Sequence, residues 1–400
     1  MGYFRKWFSE FWRSFQNEFR SIFSDGGVLL IFIVAGLLYP VLFNLIYRNG
    51  VVENTPIVVV DHADCQDSRR YIREIDATRE LHVAYRCATM EEAQRLMQKR
   101  KAKGIIYFPE DFGDKLAAME TATLSIYADM GTFLYYKNLL MGVSFVRLSE
   151  MRNIQIERAQ MTGMSYREAE ISAQPLLYEE NNPYNNAFSY SIFFLSAVLL
   201  VIIQQTMCYG MSLLAGTRRE ENRNMLLDTK DLHPRGVGRF VLGRGAAYAL
   251  LYAAVSMYIA VLVPAMFGLP QRGDFGDILV LLAFFIVDCV FFSMFWSSFI
   301  TRRESVFLLY LCFSPIALFL TGFSWPATSI PRFWQLFSYI FPTTFAVPAF
   351  ININTAGADL LVVRDLFRHM VLQTIIYCAL TFIAVYIENL VLKYRPDKSA

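Results

Sequence analysis

A long uncharged apolar run near the N-terminus limits what this chain can fold into. Residues 28–47 (VLLIFIVAGLLYPVLFNLIY) contain no charged side chain, and about 20 apolar residues are enough to cross the ~30 Å hydrocarbon core of a bilayer. About 140 mostly polar residues follow, and apolar runs dominate again from Ala187 nearly to the C-terminus. The pattern predicts one membrane span, a soluble domain and a block of further spans, and it excludes a soluble enzyme.

The composition agrees with a membrane protein. Hydrophobic residues make up 55% of the chain and aromatic residues 16%, and the mean hydropathy of +0.34 is high for a water-soluble chain of this length. The net charge of +2 gives no indication of nucleic-acid binding. The start of the chain lacks the cleavage site of a signal peptide, so we expect the first span to be retained.

The apolar runs predict six spans in all, over residues 28–47, 187–215, 241–267, 278–300, 305–323 and 370–392. We therefore predict a polytopic α-helical membrane protein with six transmembrane helices and an extracytoplasmic α/β domain inserted between the first and second spans. The predicted divisions are residues 1–25 (a cytoplasmic interfacial helix), 26–48 (the first span), 49–186 (the α/β domain), 187–392 (five spans) and 393–400 (a cytoplasmic tail).

Arginine and lysine residues in the short connections predict the orientation, because cytoplasmic loops carry an excess of them. The N-terminal segment, the loop after the second span, the turn between the fourth and fifth spans and the C-terminal tail are all basic, whereas the loop between the third and fourth spans offers only Arg272. We expect a multi-pass protein of the cell (inner) membrane with both termini in the cytoplasm and the α/β domain outside.

Residues 4–23 have the pattern of an amphipathic helix. Aromatic and aliphatic residues recur at spacings of three and four, polar and charged residues fill the other face, and Gly26-Gly27 ends the pattern. Aromatic residues on one face and cations on the other suit a helix that lies in the membrane interface. A helix packed on other protein is the alternative.

Residues 52–184 have the pattern of an α/β domain. Apolar runs predict strands at 56–61, 81–85, 104–108 and 123–127, with helices between them, one of which opens with the capping sequence Thr89–Glu92. Strands that alternate with helices predict a partly parallel sheet. The sequence Asp61-His62-Ala63-Asp64-Cys65 holds four potential metal ligands, but no second cluster supports it, so a polar turn is favoured over a metal site.

Two cysteines of this domain, Cys65 and Cys87, each lie just beyond a predicted strand. An oxidising compartment would permit a disulfide between them. The sequence does not give the distance between the two residues, so a disulfide and two free thiols both remain open.

Asp288 lies in the middle of the fourth predicted span. An ionised carboxylate there costs about 2.5–3.5 kcal/mol on insertion scales, so the side chain should face protein. No basic residue of another span is an obvious partner. A structural hydrogen bond and a role in transport are equally consistent with this position.

The segment after the fifth span reads Leu320-Thr321-Gly322-Phe323-Ser324-Trp325-Pro326, then Ile330-Pro331 and Phe341-Pro342-Thr343-Thr344. It closely resembles the signature of ABC type-2 exporter membrane subunits. The resemblance implies re-entrant helices over about 324–350 on the outer side, with an exit segment formed by Gly322, Phe323, Trp325, Pro326, Pro331 and Pro342. The prolines would break a continuous helix, although a surface loop with interfacial aromatic residues is the alternative.

The loop after the second span carries a second resemblance. In this family the matching loop is a short coupling helix that docks on the ATPase, which implies that role here for Arg218, Arg219, Glu220, Glu221, Leu226 and Leu227. The family's usual Gly-Thr and Pro are replaced here by Glu221-Asn222 and Lys230. A positively charged membrane anchor is therefore the alternative.

The whole layout resembles a multidrug-efflux-like subgroup of these exporters. The resemblance implies a permease that moves a hydrophobic or amphipathic substrate outward, pairs with an identical or related second permease and is powered by a separate ABC ATPase that binds ATP and Mg. A periplasmic membrane-fusion adaptor could bind the outer domain. The implied substrate path, for which packing or lipid contact is the alternative role, consists of Tyr190, Phe193, Phe194, Phe307, Tyr310 and Phe313.

Two rival classes are a membrane receptor with a ligand-binding outer domain and a membrane-embedded enzyme. A receptor needs a cytoplasmic output domain, and the predicted cytoplasmic parts are short. An embedded enzyme needs clustered His, Asp or Glu residues in its spans, and none is seen. The chain also has no phosphate-binding loop, so we expect it to be a transport subunit without ATPase activity, metal or cofactor of its own.

Overall fold

The structure is a computed structural model that describes residues 2–176, 181–185, 189–221 and 234–393. The chain divides into two compact units, one formed by Met1–Gly50 with Pro183–Ala400 and the other by Val51–Asn182. We call the first the helical unit and the second the α/β unit. Each has a hydrophobic core of its own.

Six helices among the described residues are long and apolar enough to cross a membrane. Numbered as spans 1 to 6, they are Gly26–Ile46, Tyr190–Glu220, Gly236–Met266, Phe275–Ser297, Arg303–Leu320 and Arg364–Glu388. The prediction of a polytopic helical membrane protein is confirmed. The helix of span 6 starts six residues before the predicted apolar run, because its backbone hydrogen bonding continues through a charged first turn that contains Asp365.

In the most apolar stretch of span 2, 82% is buried, whereas the corresponding share in span 1 is 22%. Span 2 therefore lies at the centre of the helical unit. Phe32 of span 1 is fully buried and meets the rings of Tyr248 and Tyr252 edge to face, at centroid distances of 6.0 and 5.2 Å. Gly210 of span 2 leaves room for it, because a Cβ atom there would lie 2.0 Å from the Phe32 ring.

Among the described residues, three π-helical segments interrupt the apolar helices, at Leu30–Ala35 in span 1, at Tyr258–Leu262 in span 3 and at Ile351–Thr355. Such wide turns distort the regular ladder of hydrogen bonds. Pro40 adds a second irregularity in span 1 because it lacks a backbone N–H, and the Asn44 Nδ2 atom donates to the Pro40 carbonyl oxygen at 2.7 Å.

Two short helices between spans 5 and 6, Arg332–Ser338 and Thr343–Thr355, meet at 87°. We call this pair the bent hairpin. A 3₁₀ turn at Ala327–Ser329 precedes it, and Pro342 stands at the bend as the N-cap of the second helix. The broken backbone expected over about 324–350 is therefore present, while its depth in a membrane remains a prediction.

The α/β unit contains a four-stranded sheet in the order β2-β1-β3-β4. The strands are Thr55–Asp61, Leu81–Cys87, Gly104–Phe108 and Ser125–Ala128, numbered in chain order. Strand β1 pairs in parallel with β2 and β3, and β4 is antiparallel to β3. The predicted strands and the partly parallel sheet are confirmed.

Five helices accompany the sheet: Gln66–Asp76, Met90–Gln98, Phe112–Ala117, Phe133–Met161 and Tyr166–Ala173. Alternate residues of β1 enter two separate apolar clusters, with Ile57 and Val59 in one and Val58 and Val60 in the other. Since successive strand residues point to opposite faces, the two clusters lie on the two faces of the sheet.

Cys65 and Cys87 are both free thiols. Cys65 packs against the Ile57 cluster and Cys87 belongs to the Val58 cluster, so the sheet separates them. The disulfide that the sequence left open is absent for this reason. Burial raises the pKa of the Cys87 thiol, and the charge of Glu92 and a hydrogen bond with it act in the same direction.

The polar sequence after β1 is a hydrogen-bonded turn. Asp61 Oδ1 accepts from the backbone N–H groups of Ala63 and Asp64, at 3.1 and 3.2 Å, and Asp61 Oδ2 accepts from Ser68 Oγ at 2.7 Å. These bonds use the Asp61 carboxylate to start the Gln66–Asp76 helix. The interpretation as a polar turn accounts for the residues present. Thr89 likewise caps the next helix by accepting from the Glu92 N–H.

Candidate functional site

The N-terminal helix, Gly2–Ser24, has three faces rather than the two expected from its sequence. The aromatic face includes Phe8 and Trp12, which stack on each other, and Phe23, and these three rings are exposed to 53%, 45% and 47%. A second face is polar and exposed. The third face carries Glu10, Ser14 and Glu18 one turn apart, and it packs against span 3.

Span 3 meets this helix at close range because it presents Gly243. A Cβ atom there would lie 2.6 Å from the Phe11 carbonyl oxygen and 2.9 Å from Ser14 Cβ. Ser14 Oγ donates to the Phe240 carbonyl oxygen at 3.2 Å, and Arg239 forms an ion pair with Glu10. The helix therefore packs on protein through one face and leaves several rings of its aromatic face exposed.

Glu18 is the centre of a buried charge cluster, with a side chain only 3% exposed. The guanidinium of Arg218 in span 2 donates to its two carboxylate oxygens at 2.8 and 3.2 Å. Arg244 of span 3 donates at 3.0 Å and the Tyr248 hydroxyl at 2.5 Å. One carboxylate thus joins the N-terminal helix to spans 2 and 3.

Burial by itself would raise the pKa of Glu18, but the charges of Arg218 and Arg244 and the hydrogen bonds from Arg218 and Tyr248 outweigh it and lower the pKa to about 2. Glu18 is therefore ionised at neutral pH. Since removing one partner of a buried ion pair leaves the other charge uncompensated, the loss costs about 3–5 kcal/mol.

Asp25 makes a second junction where the N-terminal helix turns into span 1. Its Oδ1 atom accepts from the Gly27 and Val28 N–H groups at 2.9 and 3.2 Å, which caps span 1. Arg303 at the start of span 5 donates to both carboxylate oxygens, at 2.8 and 3.0 Å. Burial opposes ionisation, but the Arg303 hydrogen bonds and charge and the backbone N–H bonds lower the pKa of Asp25.

Arg219 makes a third junction, between spans 2, 4 and 6. It pairs with Glu388 of span 6 at 3.1 Å, and its Nη1 atom donates to the carbonyl oxygens of Ser297, the last residue of span 4, and of Ile300. Arg219 thus binds the C-terminal end of span 4, where a guanidinium can satisfy backbone carbonyls. We call Arg218, Arg219, Arg239, Arg244 and Arg303, with their carboxylate partners, the ion-pair layer.

The four charged residues assigned to ATPase coupling have contacts within the chain. Arg218 and Arg219 point into the ion-pair layer, and Glu220 accepts from the Arg303 N–H at 2.7 Å. Glu221 also has an interaction within the chain. Leu226 and Leu227 lie outside the described residues. The contact of this loop with an ATPase remains a prediction.

The six residues assigned to the substrate path fall into separate groups. Tyr190 and Phe194 stack on each other at 5.2 Å, and Phe194 also meets Tyr47 and Phe323. Phe323 and Gly322, which has a φ of +75°, thus connect the exit segment to this stack. The side chain of Phe193 lies outside the described part of the structure.

Further along the same pair of spans, Tyr310 is buried, and its hydroxyl lies 2.7 Å from Cys208 Sγ and 2.9 Å from Ser212 Oγ. Phe313 packs on Trp296 and Phe341. Phe307 is 62% exposed. The five of these residues whose side chains are described therefore follow the contact between spans 2 and 5 and do not line one common cavity.

A small cavity of about 10 Å³ lies at this contact, which is room for about one water. It is lined by Gln204 and Gln205 of span 2, two residues that sequence reasoning missed. Gln204 Oε1 accepts from the Thr343 N–H at 2.9 Å, and Gln205 Oε1 accepts from Ser314 Oγ at 3.1 Å. The sequence feature that could have identified these two residues is a pair of amide side chains in the middle of an apolar run.

Span 6 satisfies the broken backbone of the bent hairpin. Gln373 Nε2 donates to the carbonyl oxygens of Tyr339 and Ile340, both at 2.9 Å, and the Tyr377 hydroxyl donates to the Ile340 carbonyl at 2.8 Å. Together with the Gln204–Thr343 bond, these contacts meet the requirement that irregular backbone within a bilayer be satisfied by protein. Trp325, Pro326 and Pro331 of the exit segment precede the hairpin, and the Trp325 side chain is 61% exposed.

Asp288 is fully buried in span 4. Among the described residues it forms no ion pair, and neither of its carboxylate oxygens has a hydrogen bond of ordinary geometry. The side chain thus faces protein, as expected. Its role in structure or transport remains a prediction.

Six apolar helices, an amphipathic N-terminal helix and a broken hairpin held by span 6 are the features of a multi-pass membrane protein. The chain belongs to the ABC-2 family transporter proteins, whose family model matches residues 27–390. It is accordingly the permease subunit of an ABC transporter. Members of this family generally have no ATPase site and work with an ATPase partner. No curated protein matches the chain significantly, and no finding supports the receptor alternative.

Proposed function

We propose that this chain is the membrane subunit of an ATP-driven exporter of hydrophobic or amphipathic molecules. In this proposal both termini and the ion-pair layer lie on the cytoplasmic side of the inner membrane, and the α/β unit lies outside. A separate ATPase binds ATP and Mg, and a second permease completes the transport path. The α/β unit is the surface for a periplasmic adaptor where the cell has one.

The observation that carries the proposal is the ion-pair layer. Glu18 fixes the N-terminal helix to spans 2 and 3, Asp25 fixes its C-terminal end to span 5, and Arg219 fixes span 2 to span 6. An ATPase that pushes on the segment after Glu221 or on the N-terminal helix therefore moves several spans together. Buried ion pairs resist sliding, because separation leaves a charge without a partner.

The transport step follows as a rigid-body change between two packings of the spans. ATP binding to the ATPase favours one of the two packings. It can shift the equilibrium between them only as far as the ATP-bound ATPase binds one packing more tightly than the other. The cavity between spans 2 and 5 of a single chain has room for about one water and is far too small for a cargo. We assign the open path to the contact between spans 2 and 5 of paired permeases.

Span 5 has the surface that such a pairing requires. Phe307, Leu308 and Phe319 are exposed to 62%, 72% and 59% on this helix. An apolar helix face of this kind is covered by lipid or by another subunit. The stacked aromatic rings at Tyr190 and Phe194 add a surface suited to hydrophobic cargo.

The test is ATP-dependent uptake of rhodamine 6G, a hydrophobic cation, into inside-out membrane vesicles that contain the chain and its native ATPase. The proposal expects accumulation with ATP–Mg and none with a non-hydrolysable analogue or with vesicles that lack the chain. A panel of neutral, cationic and anionic amphiphiles extends the assay to other cargo. If vesicles that lack this chain take up every compound of the panel as well as vesicles that contain it, the proposed export of amphipathic molecules is contradicted.

A further inference from the structure

One edge of the sheet in the α/β unit brings several segments of chain together. The parallel strands β1 and β3 both start at this edge, and the antiparallel strand β4 ends there. Lys103 links them, since its N–H donates to the Pro56 carbonyl oxygen at 2.8 Å and its own carbonyl oxygen accepts from the Asp129 N–H at 2.9 Å. The turn before β3 and the loop after β4 are therefore neighbours. We call residues 99–103 and 129–133 together the strand-start edge.

The turn at the strand-start edge is basic. Lys99, Arg100 and Lys101 are consecutive and exposed. In the part of the chain that the structure describes, none of the three forms an ion pair. The nearest acidic side chain of the edge, Asp129, is already taken, because its carboxylate lies 3.9 Å from Lys103 Nζ. Three neighbouring cations are thus available to a ligand.

The backbone of this turn does not explain its residues. Arg100 has a φ of +55°, and the residue in this left-handed position after a helix is usually glycine or asparagine. The Arg100 N–H donates to the Met97 carbonyl oxygen at 2.8 Å and the Lys101 N–H donates to the Leu96 carbonyl oxygen at 3.0 Å, which ends the preceding helix. A cation in the last turn of a helix is favourable, and Arg95 already supplies one there. The charges beyond it are not needed to end the helix.

The loop after β4 adds large apolar side chains beside these cations. Met130 and Phe133 are exposed to 65% and 70%. The Asp129 Oδ1 atom accepts from the Gly131 N–H at 2.9 Å, which fixes the loop between them. Single exposed apolar side chains are common. Apolar side chains next to a group of cations, however, are the combination that binds membrane interfaces, where the former enter the acyl boundary and the latter meet anionic headgroups.

The acidic residues elsewhere at this edge do not cancel the positive charge. Glu53, just before β1, pairs with Arg79 at 2.5 Å. Glu80, just before β2, lies beside Gly142 of the Phe133–Met161 helix. That helix covers the opposite face of the sheet from the helix that leads into the basic turn. The strand-start edge therefore has a local excess of positive charge on one face.

The chain itself ties this edge to the helical unit by a short connection. The Gly50 carbonyl oxygen accepts from the N–H of Tyr190, the first residue of span 2, at 2.6 Å. Strand β1 starts at Thr55, and the five residue steps from Gly50 reach at most about 18 Å. The opposite edge of the sheet lies the length of β1 further along the chain.

We propose that the strand-start edge binds the surface of the adjacent bilayer, with anionic phospholipid as its ligand. Lys99, Arg100 and Lys101 contact the phosphates, and Met130 and Phe133 enter the layer between headgroups and acyl chains. The short connection keeps a bilayer within reach whether or not a protein partner is present, which favours lipid as the ligand. The binding requires only that the spans lie in a membrane, so it does not depend on transport.

The test is hydrogen–deuterium exchange on the full chain in phosphatidylcholine nanodiscs, with and without about one third phosphatidylglycerol. Amides of residues 99–103 and 129–133 should exchange about threefold or more slowly with phosphatidylglycerol at about 0.1 M salt, and about 0.5 M salt should remove the difference. Lys99→Gln with Lys101→Gln should lose it. The matched control, Arg86→Gln with Arg167→Gln, neutralises two other exposed cations of the same unit and should keep it.

A second double variant tests the apolar side chains. Met130→Ser with Phe133→Ser should reduce the lipid effect over residues 129–133, and both positions are exposed, so the fold should tolerate the change. Equal exchange in the two kinds of nanodisc, or a lipid effect that neither double variant reduces, would overturn the proposal. Slower exchange of both segments in the native complex than in the isolated chain, with both in detergent, would overturn the lipid assignment in favour of a protein partner.

Discussion

Glu18 and Arg218 are 200 residues apart in the chain and share two hydrogen bonds, at 2.8 and 3.2 Å. Both side chains are largely buried, at 3% and 15% exposure. The pair fixes the N-terminal helix, which has an exposed aromatic face, to the helical bundle. Movement of the N-terminal helix is therefore transmitted to span 2, which is the most buried span.

Glu18→Gln tests the stabilising effect of this pair. The substitution removes the charge and leaves Arg218 and Arg244 buried opposite a neutral amide, so we expect a loss of about 3–5 kcal/mol in stability. Thermal unfolding of the purified chain in detergent measures it. Glu91→Gln on the exposed surface is the control and should change stability by less than about 0.5 kcal/mol. Equal unfolding temperatures for the two variants would show that the Glu18 cluster does not stabilise the fold.

A double variant measures how strongly Glu18 and Arg244 interact. Glu18→Gln together with Arg244→Gln should cost less than the sum of the two single variants, because the second substitution removes a charge that the first left unpaired. The unfolding temperatures of the four proteins give the coupling. Strictly additive losses would mean that the two side chains do not interact.

The pH dependence of stability follows from the lowered pKa of Glu18. A carboxyl group whose pKa falls to about 2 on folding stabilises the protein above its unfolded pKa, and this contribution is lost as the pH falls from about 4.5 towards 2. The difference in unfolding temperature between wild type and Glu18→Gln should be constant from pH 8 to about 5 and should shrink at lower pH. A difference that varies between pH 6 and 8 would assign the effect to another group.

Asp25 caps span 1 and pairs with Arg303, and two substitutions separate these roles. Asp25→Asn keeps an oxygen that can accept from the Gly27 and Val28 N–H groups but loses the charge facing Arg303, whereas Asp25→Ala loses both. We expect Asp25→Ala to be less stable than Asp25→Asn by about 0.5–2 kcal/mol, the usual effect of a helix cap. Thermal unfolding gives the comparison. If the two variants have the same stability, the cap does not contribute.

Gln373 tests whether the bent hairpin must be held by span 6. Gln373→Leu leaves the carbonyls of Tyr339 and Ile340 without this donor, so we expect a loosened hairpin and reduced ATP-dependent transport in a complex that still assembles. Leu372→Met, on the exposed side of the same helix, is the control. Hydrogen–deuterium exchange over residues 338–344 should rise in Gln373→Leu alone. Unchanged exchange would show that Tyr377 and Gln204 suffice.

Much of the fold could be predicted because it depends on local pattern. The 20-residue uncharged run became span 1, and the apolar run before Asp61 became β1. The three faces of the N-terminal helix could not be predicted, because Glu10, Ser14 and Glu18 look like ordinary members of its polar face. Only their partners in span 3 and span 2, more than 190 residues away, distinguish them.

The partners of Arg218 and Arg219 could not be predicted for the same reason. The family resemblance implies ATPase docking for Arg218 and Arg219, and the structure adds that their side chains pair with Glu18 and Glu388. Tertiary packing decides whether an arginine at a helix end faces solvent or a buried carboxylate, and a single sequence shows only the residue type.

The most direct test of the central claim is native mass spectrometry of the complex isolated from native membranes in mild detergent through a tag on this 46.1 kDa chain. The account predicts an ABC ATPase that copurifies in equal numbers with permease chains, and a mass that shows whether the second permease is identical. A chain isolated alone, or with a kinase and no ATPase, would contradict the account.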